Sequence, residues 1–125
     1  MRLFASLLTS TLALVQVNAA LGSFDASCQS ITYTKSGSDI VLAAGCAKSN
    51  GTYYWTTISL NSCIGNFNGQ LNCGSGYASS CSTCNILNGN NLECQQCKDT
   101  SENLKRSVSW LPICIRNEEG TLKCH

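Results

Sequence analysis

The residues of this chain that could do chemistry are its cysteines, its few acids and a single modification motif. Cys81-x-x-Cys84 is followed by Cys94-x-x-Cys97. In a reducing compartment that spacing would suit a compact tetrahedral zinc site. As a redox motif it would need a helical or βαβ setting, and the surrounding residues offer none. Acid–base chemistry has little to work with. His125 is the only histidine and the last residue, so a serine or cysteine nucleophile lacks a placed base. Of the seven acids, Glu118 and Glu119 are adjacent on a turn-like stretch, whereas glycoside cleavage needs two carboxylates facing across a cleft. The expectation is a non-catalytic chain with no cofactor and no metal. Asn50-Gly51-Thr52 is an N-glycosylation sequon on a turn-like segment, expected to be modified if the chain is secreted.

The N-terminus decides the compartment. Met1-Arg2 precedes an apolar run from Leu3 to Val15, and Asn18-Ala19-Ala20 supplies small residues. This reads as a secretory signal peptide over residues 1–20, with a mature chain over 21–125. The run falls short of the roughly 20 apolar residues of a membrane span, and no later segment could cross. The expected location is extracellular. All ten cysteines lie in the mature chain, and secretion exposes them to oxidising conditions, so five disulfides are expected rather than zinc. A formal charge of +1 argues against capture of nucleic acid or anionic lipid.

The elements that position these groups come from a duplication. At an offset of 51 residues Cys46 matches Cys97, Cys63 matches Cys114, and Cys73 matches Cys124. Ile64, Asn66, Gly69 and Leu71 match Ile115, Asn117, Gly120 and Leu122. The repeats run over about 24–73 and 77–124, joined near Gly74-Ser75-Gly76. Symmetric spacing about glycines predicts hairpins. It gives bridges Cys28–Cys46, Cys81–Cys97 and Cys84–Cys94; the midpoints of Cys63/Cys73 and Cys114/Cys124 fall at Asn68 and Glu119, each just before a glycine, which adds two hairpin staples, Cys63–Cys73 and Cys114–Cys124. Strands are expected at 31–34, 39–44, 53–60 and 106–111 from their β-branched and aromatic content. Short helical turns fit residues 59–62 and 110–113. Trp55 and Trp110 are expected to pack in the core. The class is mostly β, with Gly/Asn turns whose backbone and small side chains could hydrogen-bond a neutral ligand.

These residues carry a resemblance. Leu21-Gly22-Ser23-Phe24 through Cys28, the Cys46–Tyr53 stretch, Thr57-Ile58-Ser59-Leu60-Asn61 and Ile64-Gly65-Asn66-Phe67-Asn68-Gly69-Gln70-Leu71 resemble the cyanovirin-N homology family of lectins over essentially the whole mature chain. The resemblance implies a pseudo-symmetric tandem-repeat fold of triple-stranded sheets and β-hairpins, in which each repeat's hairpin completes the other half. One half would be about 21–62 plus 114–125, the other about 63–113. It supports Cys28–Cys46 and Cys81–Cys97; the other six cysteines depart from the family pattern. It implies binding of mannose-containing oligosaccharides or glycoproteins, with a monomer or a domain-swapped dimer both compatible. Carried over, one patch comprises Gly65, Asn66, Asn68, Gly76, Tyr77, Ser79, Ser80, Lys98, Asp99, Thr100 and Glu102. The other comprises Ser23, Ala26, Ser27, Ala47, Ser49, Asn117, Glu118 and Glu119. Gly65, Ala26 and Ala47 depart from the polar residues expected there. The competing expectation is a secreted structural or effector-like protein that keeps the fold without binding sugar. A toxin-like or inhibitor scaffold, which cysteine content alone permits, lacks a candidate reactive loop.

Overall fold

The computed structural model describes residues 23–125; the expected leader, residues 1–20, and Leu21-Gly22 lie outside them. A short helix α1 (Phe24–Ser27) leads into strands β1 (Cys28–Ser36), β2 (Asp39–Ala47) and β3 (Tyr53–Ser59), which form one antiparallel sheet. A 3₁₀ turn (Leu60–Ser62) precedes the hairpin β4 (Ile64–Phe67) and β5 (Gln70–Cys73). The second repeat runs in the same order. A 3₁₀ turn (Tyr77–Ser79) leads to the sheet of β6 (Cys81–Leu87), β7 (Asn91–Lys98) and β8 (Leu104–Trp110). A further 3₁₀ turn (Leu111–Ile113) precedes the hairpin β9 (Ile115–Glu118) and β10 (Thr121–Cys124). The short helical turns expected from sequence are therefore present.

Each hairpin packs on the sheet of the other repeat. β10 lies against β3, and Leu122 N–H donates to Thr56 Oγ1 at 3.1 Å. β5 lies against β8, and Leu71 N–H donates to Ser107 Oγ at 2.9 Å. The driving force is burial of the alternate faces. Leu42, Ala44 and Cys46 of β2 face the core, as do Leu92, Cys94 and Cys97 of β7. Phe24 and Tyr77 occupy equivalent fully buried positions, and a buried ring of this kind contributes up to about 3 kcal/mol. Tyr77 also carries a hydroxyl, which must be satisfied. It donates to Asp39 Oδ1 at 2.9 Å and accepts from Ile40 N–H at 3.1 Å. Burial, then the bond to Asp39, pushes its phenol well above the usual range. Tyr33 is pushed up to about 12 by burial and, next, by the Asp25 charge; its hydroxyl donates to Gly89 O at 2.8 Å across the two repeats.

Two expectations are corrected. Trp55 and Trp110 are 63% and 49% exposed, not core. Strand alternation explains both. Thr56 and Ile58 turn toward the hairpin and core, so Trp55 turns outward opposite Gly45. Ser109 and Leu111 are buried on either side of Trp110, which faces away opposite Asn91.

The second correction concerns disulfides. Cys28–Cys46, Cys81–Cys97 and Cys84–Cys94 form as expected, each between directly paired strand residues. The hairpin staples Cys63–Cys73 and Cys114–Cys124 do not form. The bonds are Cys63–Cys124 and Cys73–Cys114, with Cα atoms 5.2 Å apart in both. Register is the reason. Two-residue turns at Asn68-Gly69 and Glu119-Gly120 pair Ile64 with Cys73 and Ile115 with Cys124. Cys63 and Cys114 are thus left one residue beyond, at the helical ends of the 3₁₀ turns. There they reach the base of the opposite hairpin instead. The Cys81, Cys94 and Cys97 sulfurs do lie within 4.8 Å of one another, but each is committed to a disulfide.

Candidate functional site

Each hairpin tip is a two-residue turn with both residues at positive φ, 56° and 86° at Asn68-Gly69 and 49° and 87° at Glu119-Gly120. This is the geometry that matches strand twist in tight hairpins and favours Asn-Gly. Each tip is fastened by one asparagine. Asn117 Nδ2 donates to Ser27 Oγ at 3.0 Å and Ala47 O at 2.8 Å, while its Oδ1 accepts from Gly120 N–H at 2.8 Å. Asn66 Nδ2 donates to Ser80 Oγ at 2.8 Å and Lys98 O at 2.9 Å, and its Oδ1 accepts from Gly69 N–H at 2.8 Å. The two sets are the same bonds at equivalent positions. They pin the hairpin of one repeat to the sheet of the other.

The residue before each tip glycine holds a neighbouring turn. Glu119 accepts from Ser49 N–H at 3.2 Å and Ser49 Oγ at 3.0 Å. Asn68 Oδ1 accepts from Thr100 N–H at 2.9 Å and Thr100 Oγ1 at 3.1 Å. Those turns are also duplicated. Lys48 N–H donates to Thr52 O at 2.8 Å and Gly51 N–H to Lys48 O at 2.9 Å; Asp99 to Asn103 and Glu102 to Asp99 repeat the pattern at 2.9 Å. A side chain at either tip glycine would run into a lysine stem, Lys105 at 2.9 Å from Gly69 and Lys48 at 3.0 Å from Gly120.

Charges around the two frames differ. At the first patch the Lys48 ammonium lies 5.0 Å from the Tyr54 ring centroid, a cation–π contact. At the second, Lys105 pairs with Asp99 at 3.5 Å. The backbone N–H of Asn103, then that of Ser101, and Lys105 hold the Asp99 carboxyl below its usual value. Beside the first tip, Arg116 pairs with Glu118 at 2.9 Å. Beside the second, the equivalent residues are Gly65 and Phe67. A methyl on Gly65 would stand 3.0 Å from the Phe67 ring, and one on Gly74 would stand 2.8 Å from it. The exposed Phe67 ring therefore lies over two glycines.

The carried-over residues separate by depth. Ser49, Glu118 and Glu119 are exposed at the first patch, with Ser23 half-buried and the apolar Ala26 exposed. Ser23 hydroxyl donates to Asp25, and Ser27 Oγ to Ser23 O at 3.0 Å. Asn117, Ser27 and Ala47 are buried beneath. At the second patch Asn68, Ser79, Lys98, Thr100 and Glu102 are exposed, and Asn66, Gly76, Ser80 and Asp99 are half-buried. Gly65 and Tyr77 are buried, and Tyr77 faces Asp39 rather than the surface. Sequence reading missed Phe67; its signal was a large apolar residue between Asn66 and Asn68 on an otherwise polar bend. His125 lies exposed at the chain end, its N–H donating to Cys114 O at 2.8 Å.

Comparison with known proteins fits this geometry. The family model described as the CVNH domain matches residues 24–123. The solution structure of a Gibberella zeae CVNH protein is similar at 25% identity and a TM-score of 0.67, over 81% of this chain and 95% of that one. Microvirin, solved in complex with mannobiose, is similar at 25% identity and a TM-score of 0.66, over 84% of this chain and 100% of that one. A MoCVNH3 variant solved with (N-GlcNAc)4 shares the fold at 18% identity and a TM-score of 0.68, over 83% of this chain and 97% of that one. A search of curated proteins found no match. With the repeat, the exchanged hairpins and the family model in agreement, this chain belongs to the CVNH family.

Proposed function

We propose that the chain is a secreted, non-catalytic lectin for mannose-containing oligosaccharides, with one site at each hairpin tip. The observation that carries this is the twice-built bend: an asparagine-pinned turn with exposed oxygens and amides held in fixed positions, in a chain of net charge +1. Neutral sugars are bound through such directional hydrogen bonds. Microvirin's complex with mannobiose, at 25% identity, supports mannose as the sugar. In this reading Ser49, Glu118, Glu119 and Ser23 offer the first site's contacts. Asn68, Ser79, Lys98, Thr100 and Glu102 offer the second's. Asn117, Asn66 and Ser27 act as positioning residues, and Asp99 shapes its turn. Where both tips are open, two sites on one chain give avidity for branched glycans on a glycoprotein even when each is weak.

Titration with α-linked mannobiose, followed by amide shifts, tests the reading. In protein made without N-linked glycan, movements confined to residues 47–50 and 116–120, and to 66–69 and 98–102, are expected. Unmoved amides in both regions, in correctly bridged protein, would instead support the structural or effector-like reading. Ala26 and Ala47 at the first patch and Gly65 at the second are the features that favour that alternative.

A further inference from the structure

The sequon at 50–52 is the one motif the two sugar sites do not use, and its place in the fold is informative. Asn50 sits on the exposed turn that follows β2. Its Oδ1 accepts from Thr52 N–H at 3.0 Å and from Thr52 Oγ1 at 2.7 Å. The sequon is thus already folded into the local loop in which the threonine hydroxyl meets the asparagine amide. Both bonds fall on Oδ1, leaving Nδ2 outside them. Gly51, at φ 92°, closes the turn. The preceding residue, Ser49, is the one that binds the Glu119 carboxylate through both its N–H and its hydroxyl. The modification motif therefore abuts the first hairpin tip. In the second repeat the same turn reads Ser101-Glu102-Asn103, with no acceptor asparagine at the equivalent place. No other Asn-x-Ser/Thr occurs in the chain.

We infer that Asn50 carries an N-linked glycan that covers the hairpin tip at Glu118–Gly120, so that the secreted chain presents one open sugar site, at Asn66–Gly69, and one masked. The inference rests on the lectin reading and on passage through a secretory compartment. In the covalent step the Asn50 Nδ2 attacks the anomeric carbon of an oligosaccharide carried on a lipid diphosphate. The N–C bond forms, the C–O bond to the diphosphate breaks, the lipid diphosphate leaves, and Nδ2 gives up one proton. The attached glycan starts one residue from Ser49. Its first sugars occupy the space over the Ser49–Glu119 contact, where an incoming oligosaccharide would bind. A glycoform-dependent switch from two sites to one follows, without any change in the fold.

The test compares full-length protein from a eukaryotic secretory host with Asn50→Asp and Thr52→Ala made in the same host. Asn50→Asp keeps the Oδ1 acceptor of the turn and removes the amide, so it separates loss of the glycan from loss of the turn. Intact mass reports modification: a glycan increment on the parent, absent in both variants, is expected. A soluble paramagnetic probe then reports cover independently of any sugar binding. Relaxation of the Ser49 and Glu118–Gly120 amides should be at least twofold weaker in the parent than in the variants, with Asn66–Gly69 unchanged. Titration with mannobiose should shift both tips in the variants and only the Asn66–Gly69 tip in the parent. A parent of unmodified mass overturns the inference, as does equal probe access at Glu118–Gly120 in parent and variants. Variants that bind mannobiose at neither tip refute the lectin reading itself. The mass and probe readouts keep that failure distinct from the absence of a glycan or of cover.

Discussion

At one end of the molecule the Phe67 ring lies across Gly65 and Gly74; at the other, the residues equivalent to Phe67 and Gly65 are Glu118 and Arg116, paired at 2.9 Å. Beneath these surfaces the two ends are built alike. Asn66 and Asn117 make the same three bonds, and Asn68 and Glu119 hold the same neighbouring turn. The duplication has preserved the frame that positions a bend and let its outer face diverge. One end presents an exposed ring and the other an ion pair.

The strongest way to break this comparison is to unfasten the two ends from each other. Cys63–Cys124 and Cys73–Cys114 close separations of 61 and 41 residues, against 10 for Cys84–Cys94. Chain entropy assigns each long bridge about 4 kcal/mol and the short one about 3 kcal/mol. Replacing Cys63 and Cys124 together by serine should lower unfolding stability by about 4 kcal/mol in denaturant melts, and the Cys84/Cys94 pair by less. With Cys73 and Cys114 replaced as well, so that neither hairpin is tied to the other, the variant should also exchange hairpins between chains, raising the dimer fraction on size exclusion. Equal losses for the two pairs would show that the inter-hairpin bridges do not carry the extra constraint.

That same region marks where the sequence stopped being readable. The repeat, the antiparallel sheets and three bridges follow from spacing, because strand pairing is local and its symmetry is written in the chain. The crossed bridges depend on which residue of a hairpin lies opposite which. Midpoints at Asn68 and Glu119 imply an odd loop, whereas the turns are Asn68-Gly69 and Glu119-Gly120, so the register moves by half a step. The pairing across hairpins is a tertiary fact that spacing within one hairpin does not contain. The site was legible to a similar depth. Asn66 and Asn117 are recognisable as special, but their burial beneath the bend depends on the opposite sheet supplying Lys98 O and Ala47 O. Tyr77 shows an aromatic beside small polar residues; only the packing reveals that it faces Asp39.

A smaller effect separates the two asparagines. Asn117 is 1% exposed, so Asn117→Ala leaves Ala47 O, Ser27 Oγ and Gly120 N–H without their partner away from water, and should cost about 3 kcal/mol. Asn66 is half-buried; water can replace part of what Asn66→Ala removes, and about 1 kcal/mol is expected. Matching losses in urea melts would mean that the two frames are equally sealed. In the other direction, Glu119 holds a left-handed conformation at φ 49° that asparagine adopts more readily. Glu119→Asn makes the first tip read like Asn68-Gly69 and keeps an acceptor for Ser49. It should raise stability by about 1 kcal/mol, and a loss would show that the Glu119 carboxylate contributes more than its backbone costs.

The smallest expected difference is in acid. Asp99 caps its turn by accepting from Ser101 N–H and Asn103 N–H, both at 2.9 Å. Those amides, the Asn103 bond foremost, together with Lys105, lower its pKa in the fold. A lowered pKa means that the charged form is favoured by folding. The contribution is therefore complete above the unfolded carboxylate value of about 4 and is lost as pH falls through the lower folded value. At the equivalent place the first repeat has Lys48, and Asn50, an amide, caps that turn instead. Acid titration should consequently move the amides of Ser101 and Asn103 below pH 4 while Thr52 N–H, bonded to Asn50, stays in place. Asp99→Asn should abolish the movement at Ser101 and Asn103. Parallel movement at Thr52, or persistence in the variant, would trace the transition to another carboxylate and remove the turn as a point of difference between the two ends.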